Sequence, residues 1–396
     1  MSDYPIKELG NKTPLEHVHK PNIDRIAAEG CGGLVQTIPS GIAPGSDVAG
    51  LSILGFDPKK YYTGRAPLEA ASLGLKLKPS ELVFRVNFVT VTDGKLEDYS
   101  AGHIYSKEGA VLISDLNAKT ADLGVKFYPG VMYRNLMVID EKLLSEGRGP
   151  LYCTPPHDIS GKEVEPYLPR GKGSKLLIEL MERSTQVFRN HQINKIRVDL
   201  KENPATQVWF WGQGTMPNLT SFQERFGLKG GMISAVDLLK GLARCLKMEV
   251  LDVPGITGYY DTDYEAKARY ALDFLKKGND FIYIHVEATD EAGHNGDLRE
   301  KIRALENFDR KVVGKVMAEL PKMGPYRVIV LPDHATPVAL KTHISDPVPF
   351  AMAGEGVEKD KMTVYSENEA KKGKYKNVTG HELLDMFFAP VATKRQ

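Results

Sequence analysis

Cysteine is scarce in this sequence: Cys31, Cys153 and Cys245 are the only three in 396 residues. Odd in number, far apart and outside any CxxC pair, they exclude a disulfide framework and a thiolate zinc site, and read as reduced structural thiols. Net charge is almost absent too. Lys plus Arg number 52 against 51 Asp plus Glu, leaving +1, so neither nucleic acid nor an anionic membrane is expected as a principal partner. No apolar run approaches the ~20 residues of a membrane span, and MSDYPIKELG lacks the charged-then-apolar pattern of a signal peptide. The expectation is a soluble, cytoplasmic protein. A GxxxxGK[ST] phosphate loop is also missing, which counts against an ATP-dependent enzyme without excluding one.

What is present is a chain long enough for two domains, or for one core with a large insertion. Thr13-Pro14-Leu15-Glu16 is a capping box, and Asn22 is read as the cap of a short helix stopped by Gly30. After a strand at 34–38 comes PSGIAPGSDVAGLSILGFDP, in which Ser46 opens an apolar helical run. A serine there is either an ordinary helix cap or a nucleophile, because unpaired N–H groups and the helix dipole stabilise an alkoxide or a phosphoryl group. From Glu81 the texture changes to alternating strands with a turn at Asp93-Gly94, a hairpin signature. Residues 80–205 are read as an inserted α+β domain. From Gln207 strands and helices alternate: strands at 207–211, 249–253, 280–286 and 327–331, and helices at 264–277 and 297–320, with Ser234 capping another helix. This order implies a doubly wound, mostly parallel sheet built from residues 1–79 and 206–396.

Two strand ends carry the chemistry. Val328 to Leu331 is cut off by Pro332, followed by Asp333, His334 and, nine residues on, His343. The strand at 280–286 runs into EATDEAGHNGD, where Asp290 and His294, four apart, share a helical face. Two carboxylates and three imidazoles after strands of one sheet are too many for one divalent ion. They suggest two ions, as used in phosphoryl transfer, with manganese, magnesium or zinc as the candidates.

Taken together, PNIDRIA, GIAPGSDVAGLSILGFDP, TGRAPLEAASLG, DYSAGHI, FYPGVMYRNL, WGQG, VPGITGYYDT, HVEATDEAGH, LPDHATP and HISDPVPF resemble the archaeal-type cofactor-independent phosphoglycerate mutases. These are members of the alkaline phosphatase superfamily, and the resemblance runs over essentially the whole chain. It implies an alkaline phosphatase-like fold, Ser46 as the phosphorylated nucleophile, and two divalent ions, manganese first. One ion would be held by Asp290, His294 and His343. The other would be held by Ser46, Asp333, His334 and a further aspartate. The substrate would be a small phosphorylated acid: 3-phosphoglycerate gives its phosphoryl group to Ser46, glycerate reorients between the domains, and the group returns to the 2-hydroxyl.

In similar proteins that further aspartate ends a buried strand lying before the segment that matches Met1 to Pro5. Asp3 matches a later aspartate, although a rearranged terminus would bring it near. Without such a strand, unpaired edges and apolar surface are expected inside the sheet. For the substrate's phosphate and carboxylate the candidates are Arg65, Arg85 and Arg134, each equally readable as a structural ion pair. Asp98 is a candidate base, and Lys267 reads as a phosphate contact or a solvated helix lysine. His103 and His157 sit in loops that could line a cleft, whereas His17, His19, His191, His285 and His381 receive no role. Rival readings are a homoserine kinase-like phosphotransferase or a phosphatase on the same site, and, from another class, an inert binding protein lacking one metal.

Overall fold

The computed structural model describes residues 1–144 and 146–390. It divides into two compact units, the first comprising Met1–Tyr62 together with Asn218 onward, the second Thr63–Pro217. The strands are β1 (Cys31–Gln36), β2 (Glu81–Thr92), β3 (Lys95–Asp98), β4 (Val125–Tyr128), β5 (Arg134–Asp140), β6 (Gln207–Gly214), β7 (Gly230–Ile233), β8 (Glu249–Val250), β9 (Phe281–Ile284), β10 (Arg327–Val330), β11 (Val348–Gly354) and β12 (Tyr375–Thr379). Helices of eight residues or more are α1 (Pro21–Glu29), α2 (Ser46–Ile53), α3 (Arg65–Ser72), α4 (Ser106–Lys119), α5 (Ser174–Phe188), α6 (Gln192–Asp199), α7 (Asp237–Cys245), α8 (Tyr264–Lys276), α9 (Ala288–Asn295) and α10 (Leu298–Asn307).

The second unit is an antiparallel sheet in the order β3-β2-β5-β4, with β6 also paired to β2. Asp93 and Gly94 both take positive φ (48° and 77°), so the β2–β3 hairpin closes through the tight turn their sequence announces. Leu112, Ile113 and Leu116 of α4 and Leu177, Leu180 and Phe188 of α5 pack with Phe84, Phe88 and Phe210 in one core cluster. Ala66 and Ala70 of α3 pack instead with Val83, Leu136 and Val138. That packing is why the unit begins at Thr63 rather than at 80. It also ends later than the sequence suggested: strand 207–211, read as the first of the parallel series, is β6, and buries Val208, Trp209 and Phe210 in this unit.

In the first unit β8, β7 and β9 form a parallel sheet, in that order. A second sheet has the order β10-β11-β1-β12, where β1 and β12 are parallel and β11 runs antiparallel to both β1 and β10. The expected βα alternation is present; among the described residues, parallel pairing joins β7 to β8 and β9, and β1 to β12. Between β9 and β10 lies a cavity of about 130 Å³ lined by Met1, Phe281, Tyr283, Ile329, Leu331 and Leu384 among others. Among the described residues β9 pairs only with β7 and β10 only with β11, so both strands turn an unpaired edge to this slot.

Two local readings change. Asn22 lies inside α1, which starts with Pro21; the Asp309 carboxylate accepts instead from the backbone of Asn22 (3.4 Å) and Ile23 (2.8 Å). Asp309 reaches them from a π-helical stretch, Phe308–Val313, inside the long helix expected at 297–320. Ser234 does not cap α7, whose first residue is Asp237. Its hydroxyl turns toward His285 and Glu287, at 3.2 Å from each.

Candidate metal and phosphoryl-transfer site

In the first unit the start of α2 (Ser46), helix α9 after β9 (Asp290, His294) and the loop between β10 and β11 (Asp333, His334, His343) bring these six side chains into one cluster. Ser46 is the first residue of α2, and no side chain caps that helix. Its Oγ lies instead 3.1 Å from His334 Nε2. The partners of His334 fix what that contact means. The Thr336 hydroxyl donates to the Asp290 carboxylate, which can only accept, so the same hydroxyl is free to accept from His334 Nδ1 at 3.2 Å. Nε2 therefore turns its lone pair to Ser46. Burial, outweighing the opposing pull of the nearby Asp333 carboxylate, holds His334 below the usual histidine range and so favours this neutral form.

His294 and His343 are oriented in the same manner. His294 Nδ1 donates to Lys341 O (3.1 Å) and His343 Nδ1 to Pro44 O (3.4 Å), both groups that only accept. The two Nε2 atoms then meet at 2.8 Å, each 3.4 Å from Asp290 Oδ2. Two imidazole lone pairs and a carboxylate converging on one point call for a cation among them. Asp290, His334 and His343 offer ligand atoms all within 4.8 Å of one another. Asp333 Oδ2 is buried without a hydrogen-bond partner, 3.4 Å from His334 Nε2 and 3.6 Å from His285 Nε2. An orphaned carboxylate oxygen beside neutral imidazole is a donor set that suits a divalent ion.

Other residues fall elsewhere. Asp3 is absorbed in a buried ion pair, its Oδ2 2.6 Å from Lys301 Nζ and accepting from Val338 N at 3.1 Å. Lys267 is not solvated: it is fully buried, with Nζ 2.6 Å from both Glu287 Oε2 and His285 O. In the second unit Arg85 is buried, forks onto Glu69 at 3.0 and 3.1 Å and lies over the Trp211 ring at 3.9 Å. Burial lowers its pKa; Glu69 opposes this, while Arg65 and Arg134 add to it, so three guanidinium groups share one positive region. His157 stacks edge-on against Trp211 in the same region, 5.1 Å between centroids. Asp98 is occupied: Ser100 N and Oγ, Gly102 N and Asn203 Nδ2 all donate to it within 3.0 Å. Burial pushes its carboxyl up and those hydrogen bonds more than reverse it, giving a lowered pKa, the opposite of what a base near neutrality needs.

Sequence reasoning passed over His285, Glu287, Ser234 and Thr336. Glu287 had a signal, an acidic residue where an apolar strand ends. Thr336 had none, since a threonine two residues past a histidine is ordinary loop composition.

A family model described as 2,3-bisphosphoglycerate-independent phosphoglycerate mutase matches residues 27–194. A protein of that name from Methanothrix thermoacetophila is 49% identical over 98% of this chain and 97% of its own length. The second such mutase of Methanothermobacter thermautotrophicus is 47% identical over 100% and 97%. Among solved structures, the PH0037 protein of Pyrococcus horikoshii superposes with a TM-score of 0.82 at 30% identity, covering 100% of this chain and 96% of that one. The cofactor-independent phosphoglycerate mutase of Thermoplasma acidophilum gives 0.65 at 25%, covering 98% and 95%. With identity of this order along nearly the full length of both chains, the chain belongs to the 2,3-bisphosphoglycerate-independent phosphoglycerate mutases.

Proposed function

We propose that the chain interconverts 3-phosphoglycerate and 2-phosphoglycerate through a phosphoserine at Ser46. The observation that carries this is Ser46 Oγ at a helix N-terminus, 3.1 Å from a neutral His334 Nε2. In the first half-reaction the Ser46 Oγ–P bond forms and the bond between phosphorus and the C3 oxygen breaks, with net transfer of the serine proton to that oxygen. In the second, the bond between phosphorus and the C2 oxygen forms and the Ser46 Oγ–P bond breaks, the 2-hydroxyl proton returning to Ser46. The α2 N–H groups and dipole stabilise the charge on Ser46 and on the phosphoryl oxygens. Two divalent cations, with manganese as the first candidate, are assigned to Asp290, His294 and His343 and to Ser46, Asp333 and His334. When bound they supply Lewis-acid stabilisation of the serine and phosphoryl oxygens. Arg65 and Arg134, in the positive region around Arg85, are suited to the substrate's phosphate and carboxylate.

The test is formation of 2-phosphoglycerate from 3-phosphoglycerate with Mn²⁺ and without bisphosphoglycerate, with intact-mass detection of one phosphoryl group. Ser46→Ala is expected to lose the adduct and at least about three orders of magnitude in rate, about 4 kcal/mol. Release of inorganic phosphate in place of isomerisation, or activity only with ATP and an alcohol acceptor, would overturn the mutase reading.

A further inference from the structure

The mutase reading leaves one buried group without a task. Glu287 is 4% exposed, and both its oxygens are engaged. Oε2 lies 2.6 Å from Lys267 Nζ; Oε1 accepts from Ala235 N at 2.8 Å and Ser234 Oγ at 3.2 Å, and faces His285 Nδ1 at 3.1 Å. These partners come from the ends of β7 and β9 and from α8, so Glu287 ties three neighbouring elements together. Because a carboxylate only accepts, His285 Nδ1 must be the donor, and the ring is turned accordingly. His285 is anchored further by its own N–H, which donates to Ile233 O at 2.8 Å. The far side of the ring then points at Asp333: His285 Nε2 is 3.6 Å from Oδ2, the buried oxygen with no hydrogen-bond partner. Lys267, Glu287, His285 and Asp333 thus form one row ending at a candidate ligand.

We propose that Glu287 is a positioning residue for the metal assigned to Ser46, Asp333 and His334, acting through His285 to hold the Asp333 carboxylate in place. The proposal rests on the two-metal reading above. Burying a carboxylate beside a lysine is not in itself stabilising compared with an apolar pair of the same volume, so the ion pair alone gives no reason for this arrangement. Orientation of a ligand by groups one step behind it does: such contacts are commonly worth 10- to 100-fold in metal affinity, as an order of magnitude. The sites should differ in their sensitivity, since Asp290, His294 and His343 are oriented by Thr336, Lys341 O and Pro44 O, none of which touches Glu287.

The experiment is calorimetric titration of Mn²⁺ alone into the chelator-stripped full chain, comparing the unchanged protein with Glu287→Gln, His285→Gln and the double variant, each first checked by circular dichroism. The unchanged chain is expected to take up two Mn²⁺. Glu287→Gln should weaken one of the two sites by roughly 10- to 100-fold and leave the other unchanged. His285→Gln should weaken the same site, and the double variant should lose no more than the larger single loss, because both act along one row. Should Glu287→Gln not fold, His285→Gln carries the test. Equal weakening of both sites, strictly additive losses, or no change in either variant would overturn the proposal while two-metal binding by the unchanged chain stood. Fewer than two Mn²⁺ on the unchanged chain would instead remove the two-metal reading, and the proposal with it.

Discussion

Ser46 Oγ and His334 Nε2 stand 3.1 Å apart, and the proton that decides the character of this contact is set two residues further on, where Thr336 passes its own hydrogen to Asp290. His334→Ala removes both the lone pair facing the serine and a candidate ligand. The expected result is a loss of at least about 100-fold in kcat, with Ser46 no longer phosphorylated on incubation with substrate. Thr336→Val should act in the same direction and more weakly, since it frees the ring to turn without deleting it. Steady-state kinetics beside intact-mass analysis distinguishes the two; normal phosphorylation in His334→Ala would sink the assignment.

Arg85 is a structural residue whatever else it does. It is buried, forks onto Glu69 and lies over Trp211. Arg85→Ala strands a half-buried carboxylate and empties a stacked position, and should destabilise the protein by about 3 kcal/mol. Urea unfolding followed by tryptophan fluorescence reads it directly, because Trp209 and Trp211 both lie on β6 in this unit. An unchanged midpoint would mean that the fork adds nothing.

Stability should be bounded on both sides of neutrality by the row behind Asp333. Burial pushes Glu287 up, but His285 and Lys267 prevail and hold it at about 2, below its ordinary 4.5. A depressed carboxyl contributes stability that is present above 4.5 and lost as pH falls toward 2. His285 runs the other way: burial lowers it, Glu287 and Asp333 more than compensate, and it stands at about 9 against 6.5. Its contribution is complete below 6.5 and lost as pH rises through 9. Thermal melts of the chelator-stripped chain should therefore show a plateau between those limits, with a shallower acid limb in Glu287→Gln. Superimposable acid limbs would count against the row.

The three thiols should be inert in the folded protein. Burial raises Cys31 and Cys245 to about 11 and Cys153 to about 12. The thiolate, which is the reactive form, is then scarce at pH 8. Disulfide-exchange reagent at that pH is expected to label the native chain slowly and all three cysteines promptly in guanidinium. Fast native labelling of any one would show that its surroundings are more open than they stand here.

Much of the candidate site was legible because it lies at strand ends and helix starts, where apolar runs stop abruptly and polar residues must do something else. Ser46 and Asp290 occupy helix starts and Asp333 and His334 follow a strand end, while His294 was legible from its spacing to Asp290 and His343 from the loop it shares with Asp333. What escaped was the supporting layer. Ser234 reads as a helix cap and Lys267 as a solvated lysine, since nothing local to either says that Glu287, 53 and 20 residues away, will be buried against both. The fold behaved similarly. Hairpin β2–β3 was readable from Asp93-Gly94, a turn chosen by local sterics, whereas the partner of β6 was not, because a run such as Gln207 to Trp211 is equally at home beside any strand that leaves an edge open.

The slot between β9 and β10 has a consequence for local stability. Among the described residues no strand pairs with those two edges, so their amides should exchange with solvent through small local openings while the β1–β11 ladder stays protected. The same edges, walled by Phe281, Tyr283, Ile329 and Leu331, offer a template to any extended apolar segment that arrives, including one from a neighbouring molecule. In concentrated solution this seam, rather than the outer surface, is where the protein would begin to lose its identity as a single molecule.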